Sequence, residues 1–158
     1  MKPVFALAAA IFLLTPSPAF AKSPKEGVTA TFTGYVGARK SEKKCDKHTG
    51  GGNESRYGPK PQDMATEDGT SDDGPVMLAA AEDVYREYKG CRLEIPDLGD
   101  QFFIMDSCPG CSGMHFDVSF KNTEEGCAVA MKFKKTIHGV RIICPGGTPG
   151  GPLDFGSE

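Results

Sequence analysis

Short stretches of the chain alternate apolar and polar residues and are separated by turn-forming residues, which is the pattern of half-buried β-strands. The clearest stretch is 27–36, where small and aromatic apolar residues alternate with threonines. Alternation of this kind, or a short continuous apolar run, predicts further strands at 76–81, 91–95, 102–105, 115–120, 127–134 and 137–144. About seven short strands with little helix predict a small all-β domain, either a closed barrel or a sandwich.

Two local features interrupt this series of strands. Residues 82–89 are expected to form one or two helical turns that end at Gly90. The last two strands are expected to be joined through Lys135 and Thr136, and Gly139 is expected to mark a bulge in the second of them.

The chain begins with a segment typical of exported proteins. Residues 1–21 combine an early lysine, an apolar run and a small-residue cleavage pattern, which predicts a signal peptide. The apolar run is shorter than the about 20 residues of a membrane-spanning helix, and no cysteine follows the expected cleavage site, so no membrane anchor is expected. After it we expect a polar leader, one β-domain with a long loop insertion, and a flexible Gly/Pro-rich tail, at residues 22–26, 27–144 (loop 38–75) and 145–158. The expected location is secreted or periplasmic.

Composition narrows the functional classes. The formal net charge is −3, and a chain of this sign without a basic cluster is not expected to bind nucleic acid or an anionic membrane. The cysteines all follow the signal peptide, and an even number in an exported chain favours disulfides; they are Cys45, Cys91, Cys108, Cys111, Cys127 and Cys144. Their connectivity is open. The preferred hypothesis joins Cys91 to the 108–111 turn and Cys127 to Cys144. A monomer without a cofactor is expected.

Two acids bracket a turn that contains two cysteines. Asp106 ends an apolar strand, the cysteine turn (residues 108–111) follows, and Asp117 lies in the next alternating strand beside Phe116 and Val118. Such acids either form a chemical site or brace the turn by accepting hydrogen bonds from backbone N–H groups. The sequence leaves both interpretations open.

These residues resemble a known fold family. Asp106-Ser107-Cys108-Pro109-Gly110-Cys111, followed by Phe116-Asp117-Val118-Ser119, is similar to the D-x-C-P-x-C … D-L-S segment of double-psi β-barrel domains. These include the expansin-like, barwin-like and rare-lipoprotein-A-like proteins. Residues 29–35, and the order of three acids at Asp83, Asp106 and Asp117, also resemble the bacterial three-aspartate domain of the same fold. The resemblance covers roughly residues 28–120 and implies a six-stranded double-psi β-barrel.

The resemblance also implies a function and a set of site residues. An aspartate at the position of Asp117 acts as the acid in lytic transglycosylases and is needed for wall loosening by expansins. Cell-wall glycan, either peptidoglycan or a plant or fungal polysaccharide, is therefore the expected partner. The implied catalytic residues are Asp117, Asp106 and, in support, Asp83, and the implied substrate-binding residues are Tyr35, Tyr57, Thr33 and His115.

The spacing of the two main acids adds a geometric expectation. If the strands on either side of the cysteine turn pair with each other, Asp106 and Asp117 face each other with Cβ atoms about 5 Å apart. When two carboxyl groups lie so near to each other, the pKa of one of them rises and that carboxyl stays protonated more readily. The protonated carboxyl would protonate a glycosidic oxygen while the other carboxylate stabilises the cationic sugar. A distance of about 5 Å between the two acids suits the retaining mechanism of glycoside hydrolysis.

Other interpretations of the same residues remain. A C-x-x-C redox site prefers its first thiolate at a helix N-terminus, but a strand follows Cys111. Zinc binding by Cys108, Cys111 and His115 would need a fourth ligand, and export favours a disulfide instead. Haem attachment is excluded because Ser112 follows the second cysteine. Finally, the protein is equally suited to binding without turnover, for example as a cysteine-protease inhibitor that uses its loop at 40–75.

Overall fold

The computed structural model describes residues 25–38, 44–45 and 60–145 of the chain. The strands are β1 (Lys25–Tyr35), β2 (Val76–Ala80), β3 (Arg92–Ile95), β4 (Gly99–Ser107), β5 (His115–Ser119) and β6 (Lys134–Ile143). The helices are α1 (Glu82–Tyr88), α2 (Glu124–Lys132) and a 3-10 helix at Pro61–Met64. The six strands close into one barrel, so the expectation of a six-stranded, disulfide-stabilised barrel with little helix is confirmed.

The order of strands around the barrel is β1-β5-β2-β4-β3-β6. Two neighbouring pairs are parallel, β1 with β5 and β2 with β4, and the other four are antiparallel. The expectation that the strands flanking the cysteine turn pair with each other is wrong. Strand β2 lies between β4 and β5 and bonds to both of them.

The barrel is filled by the inward residues of all six strands. Alternate positions supply them: Ala30, Phe32, Leu78, Ala80, Leu93, Ile95, Phe102, Ile104, Phe116, Val118, Val140 and Ile142. Phe32 and Phe116 stack at the centre with ring centroids 5.6 Å apart. The period-2 pattern of the sequence arises because every second side chain points into this core.

A second apolar cluster lies on the outside of β2 and β4. Met64, Met77 and Met105 form it, with Phe103 packed against them. The segment 60–74 is held there by a bridge between Thr66 and Phe120, with the Thr66 N–H donating to the Ser119 carbonyl at 3.0 Å. Strand β2 is therefore apolar on both faces because it is covered on both faces.

Residues 127–134 do not form the predicted strand, because most of them belong to helix α2. Thr123 caps this helix by accepting a hydrogen bond from the Gly126 N–H at 3.0 Å, and two glutamates occupy its first turn. Gly34 on β1 lets the helix approach closely, since a Cβ there would lie 2.6 Å from the Ala130 carbonyl oxygen. Residues 135 and 136 then belong to β6 rather than to a connection.

The other local predictions are mostly confirmed. Helix α1 ends before Gly90, which has a φ of 78°. The register between β1 and β6 shifts between the pairs Val28–Val140 and Ala30–Ile137, which places a bulge at Gly139.

No helix within 25–38, 44–45 and 60–145 has the length and apolar character to span a bilayer. The predicted signal peptide and the predicted tail after residue 145 lie outside the described residues.

All six cysteines form disulfides, but not in the pairs preferred from sequence. The pairs are Cys45–Cys127, Cys91–Cys144 and Cys108–Cys111. The preferred pairing is wrong because Cys127 lies on α2 rather than in a hairpin with Cys144. The first pair ties the segment around residue 45 to α2, and the third closes the cysteine turn on itself.

Candidate functional site

A row of polar side chains crosses the outer face of three neighbouring strands. Thr33 on β1 is in register with Asp117 on β5 and with Lys134 on β6. Cross-strand partners in register project to the same face of a sheet. The inward neighbours of Thr33 and Asp117 are core residues, so this face is the outside of the barrel. Two strand spacings give the row a length of about 10 Å.

Asp117 lies at one end of this row, and its two oxygens have different surroundings. Thr33 Oγ1 donates a hydrogen bond to Asp117 Oδ1. The same Thr33 oxygen lies 2.7 Å from His115 Nε2, and His115 Nε2 is 3.5 Å from Asp117 Oδ1. Because the single proton of the threonine hydroxyl goes to Asp117, His115 must carry its proton on Nε2 to bond to Thr33.

The other oxygen, Asp117 Oδ2, faces the cysteine turn. Cys108 Sγ lies 3.2 Å and Cys111 Sγ 3.6 Å from it. Both sulfurs belong to a disulfide and have no proton to donate, so these are non-bonded contacts. No residue in the described ranges donates a hydrogen bond to Oδ2. With 21% of its side chain exposed, Asp117 presents this oxygen to the edge of the turn.

The cysteine turn is fixed to the barrel from below. The Cys108 N–H donates to the Ala80 carbonyl at 2.7 Å, and the Cys111 N–H donates to the Cys108 carbonyl at 3.1 Å. The turn that follows β4 is therefore held against the end of β2, and its disulfide lies beside Asp117.

Asp106 is separated from Asp117 by strand β2. Ala79 of β2 is in register with both acids, so the two Cα atoms are about two strand spacings, about 10 Å, apart. Asp106 is only 8% exposed, and its Oδ1 accepts a hydrogen bond from the Ser107 N–H at 2.8 Å. The facing pair with Cβ atoms about 5 Å apart, expected if the two strands paired, is therefore not formed, because the strands that carry the acids are not neighbours.

Tyr35 lies on the same face of β1 as Thr33 but is buried beside the site rather than exposed in it. It is 3% exposed, so its ring cannot stack on a sugar, and its assignment to substrate binding is corrected. Burial raises the pKa of the Tyr35 phenol, and the charges of Asp106 and Asp117 raise it further. The nearby Ser119 hydroxyl lowers it but gives its own proton to the Pro61 carbonyl at 2.9 Å. The phenol oxygen is buried without a hydrogen bond of ordinary geometry to any described residue.

The remaining predicted residues divide clearly. Thr33 and His115 are brought to Asp117, as the contacts above show. Asp83 lies exposed in the first turn of α1, and no hydrogen bond or ion pair within the described ranges joins it to either acid. Tyr57 lies outside the described residues.

Lys134 is the residue of this row that sequence reasoning missed. It follows helix α2 and is exposed at the start of β6, next to a shallow hollow of about 340 Å³ lined by Val129, Phe133 and Lys135 among others. Only the register between β1 and β6 brings it to Thr33, and no short-range sequence signal reveals that register. The hollow does not include Asp117.

No protein-family model matches the chain, and no curated protein matches it significantly. The interpretation of the site therefore depends on its own geometry.

Proposed function

We propose that this protein is an exported double-psi β-barrel that acts on cell-wall polysaccharide, with Asp117 as the acid that meets the glycan. The closed barrel with two parallel strand pairs is compatible with that fold. The observation that carries the proposal is the partly exposed carboxyl of Asp117, held on one oxygen by Thr33 and left without a donor from the described residues on the other. That second oxygen is where a glycosidic oxygen would receive a proton.

The chemistry that fits this arrangement needs one acid. Protonated Asp117 would donate its proton through Oδ2 to the oxygen of the scissile bond, while Thr33 and His115 hold Oδ1 in place. A hydroxyl of the sugar itself would then close on the anomeric carbon and give its proton to the Asp117 carboxylate, as in a lytic transglycosylase. Because Asp106 is buried one strand away, it is poorly placed to act as the nucleophile of a retaining pair. Its role would be limited to the electrostatics beneath the site.

The polar row gives the glycan a surface to lie on. Lys134 at one end and the cysteine turn at the other limit a strip whose exposed part is about two strand spacings wide. Hydroxyl groups of a sugar can bond to the threonine and lysine side chains there. The short Thr33 side chain can bond to a substrate with less loss of side-chain entropy than the long Lys134.

The test is digestion of purified cell walls with the wild type, Asp117→Asn and a matched control. Glu125→Gln removes a carboxylate of the same charge from the exposed first turn of α2. We expect the wild type and Glu125→Gln to release soluble fragments, and Asp117→Asn to be slower by about 100-fold or more, the usual contribution of a general acid. If no protein releases fragments, binds the wall or weakens it, the proposal is wrong.

The same assay separates cleavage from binding without turnover. A wall-binding protein would sediment with the wall, release nothing, and lose its binding in Asp117→Asn. A protein that shows neither effect but inhibits papain-like proteases would point to the inhibitor function instead, and Asp117→Asn would leave that inhibition intact.

A further inference from the structure

The contact between the cysteine turn and Asp117 has a second chemical meaning. Cys108 Sγ, Cys111 Sγ and a carboxylate oxygen of Asp117 all lie within 4.8 Å of one another. In the disulfide form the sulfurs cannot act as thiolate ligands. After reduction the same three side chains would offer two thiolates and a carboxylate, which is a donor set that zinc accepts.

The distances already approach those of a metal centre. Zinc binds sulfur at about 2.3 Å and carboxylate oxygen at about 2.0–2.2 Å, so a tetrahedral angle separates the two ligand atoms by about 3.5 Å. The observed separations from Asp117 Oδ2 are 3.2 Å to Cys108 Sγ and 3.6 Å to Cys111 Sγ. The cysteine Cα atoms are 5.3 Å apart, and the C-x-x-C spacing is common in zinc sites. The carboxylate therefore needs little movement to join them.

Access distinguishes this disulfide from the other two. Cys108 and Cys111 are partly exposed in a surface turn, and the two residues between them, Pro109 and Gly110, are exposed. Each of the other disulfides contains one deeply buried member, Cys127 at 3% or Cys91 at 4% exposure. Exchange requires an attacking group to reach a sulfur atom. Both sulfurs of the cysteine turn are partly exposed, whereas each other disulfide has only one such sulfur, Cys45 or Cys144, so a soluble reductant should open the cysteine turn first.

We propose that reduction of the Cys108–Cys111 disulfide creates a zinc-binding site formed by Cys108, Cys111 and Asp117, with a water in the fourth position. A dithiol reductant transfers two electrons and two protons to the sulfurs and itself becomes a disulfide. Zinc then displaces the two thiol protons and binds the thiolates and the Asp117 carboxylate. His115 stays with Thr33 and is not a ligand.

The site goes beyond glycan chemistry and does not depend on it. Its consequence for the proposed function is exclusion, because a carboxylate bound to zinc cannot donate a proton to a glycosidic oxygen. The redox state of the turn and the supply of metal would together set whether Asp117 is available. Zinc binding can be measured whether or not the protein cleaves glycan, so the two proposals can fail separately.

The experiment compares the oxidised full-length protein with protein treated by a limited amount of a trialkylphosphine. The phosphine becomes a phosphine oxide with an oxygen atom from water, and the two thiols form on the protein. Alkylation and peptide mass mapping identify which disulfide has opened. Zinc binding is then measured by titration calorimetry, and cobalt is used as a second probe because thiolate-to-cobalt charge-transfer absorption reports sulfur ligands.

We expect one zinc per reduced protein and none in the oxidised form. The double variant Cys108→Ser, Cys111→Ser should bind none and keep the other two disulfides. Asp117→Asn should weaken zinc binding by more than the about 10–100-fold that loss of an outer-shell partner costs. Glu125→Gln should bind as the wild type does, and His115→Gln should weaken binding by no more than the about 10–100-fold of an outer-shell partner.

Three results would overturn the proposal. One is an absence of zinc binding although mapping shows the cysteine turn open. Another is undiminished binding in the double serine variant or in Asp117→Asn. The third is opening of Cys91–Cys144 or Cys45–Cys127 before the turn, which would contradict the argument from access.

Discussion

Replacing Tyr35 by phenylalanine should stabilise the protein, although most tyrosine-to-phenylalanine changes in a core are costly. The phenol oxygen is buried without a hydrogen bond of ordinary geometry, and a buried polar group left unsatisfied costs about 1–3 kcal/mol. The nearby Ser119 hydroxyl offsets part of that cost, so we expect a gain at the lower end, about 1 kcal/mol. At about 2.1 cal/mol/K of unfolding entropy per residue, such a gain raises the Tm of a domain spanning residues 27–144 by about 4 °C.

The same substitution should change the dependence of stability on pH. Burial raises the pKa of Tyr35 above its ordinary value of 10.0, so the folded protein keeps a proton that the unfolded chain loses in alkali. A raised pKa contributes stability that is complete below the unfolded pKa and falls as pH rises beyond it. Between about pH 8 and about pH 10.5 the wild type should lose about 0.8 kcal/mol through this residue alone. Tyr35→Phe cannot lose it.

Urea unfolding followed by fluorescence or circular dichroism, at both pH values, measures both effects. Tyr88→Phe is the matched control for the stability at about pH 8. Burial and a hydrogen bond to Glu87 raise the pKa of the Tyr88 phenol, and loss of that bond should cost about 0.5–1.5 kcal/mol. The reasoning fails if Tyr35→Phe is destabilised by about 1 kcal/mol or more, or if its advantage over the wild type does not grow with pH.

Further predictions concern packing, the site and the disulfides. Gly34→Ala should destabilise the protein by about 1–3 kcal/mol in urea unfolding, because the new methyl group meets the backbone of α2; an effect below that range would contradict the close approach. Thr33→Val should slow wall digestion by about 10-fold or more through loss of Asp117 positioning, whereas Thr31→Val, on the same strand, should not. Removing Cys45–Cys127, whose members are 82 residues apart, should cost about 4–5 kcal/mol; opening the cysteine turn, with a separation of 3, should cost about 1.6 kcal/mol.

The strands were predictable because most of them have one side that faces the core of the barrel and one side that faces outward. Alternation identified β1, β3 and β5, and a continuous apolar run identified β2. Helix α2 was missed because a short apolar run such as 127–134 has no decisive period. The signal that would have found it precedes the run, where Thr123 is followed by two glutamates.

The pairing of strands could not be read from the sequence. A turn of a few residues between Asp106 and Asp117 suggests a hairpin, and a hairpin would have made them neighbours. In the structure β2, which precedes both strands in the chain, lies between them and replaces that pairing with two of its own. Which strand fills a gap depends on the packing of the whole barrel, and alternation within one segment does not report it.

The site was predicted in part for the same reason. Asp117, Thr33 and His115 were all named as candidates, and the parallel register of β1 with β5 brings them together. Tyr35 was assigned to sugar stacking because an aromatic residue at an outward position looks accessible. The segment 60–74 covers the outer face of the barrel there, and no pattern within β1 indicates a cover supplied from elsewhere.

The central claim is that Asp117 cleaves glycan as a lone acid while a hydroxyl of the sugar closes the ring. Digesting peptidoglycan in water enriched in ¹⁸O, followed by mass spectrometry of the released fragments, tests it most directly. If a hydroxyl of the sugar closes the ring, the released fragments carry no ¹⁸O and are lighter by one water than hydrolysis products. The Asp117→Asn variant is expected to release almost no fragments. Fragments that carry ¹⁸O, or equal release by Asp117→Asn, would contradict it.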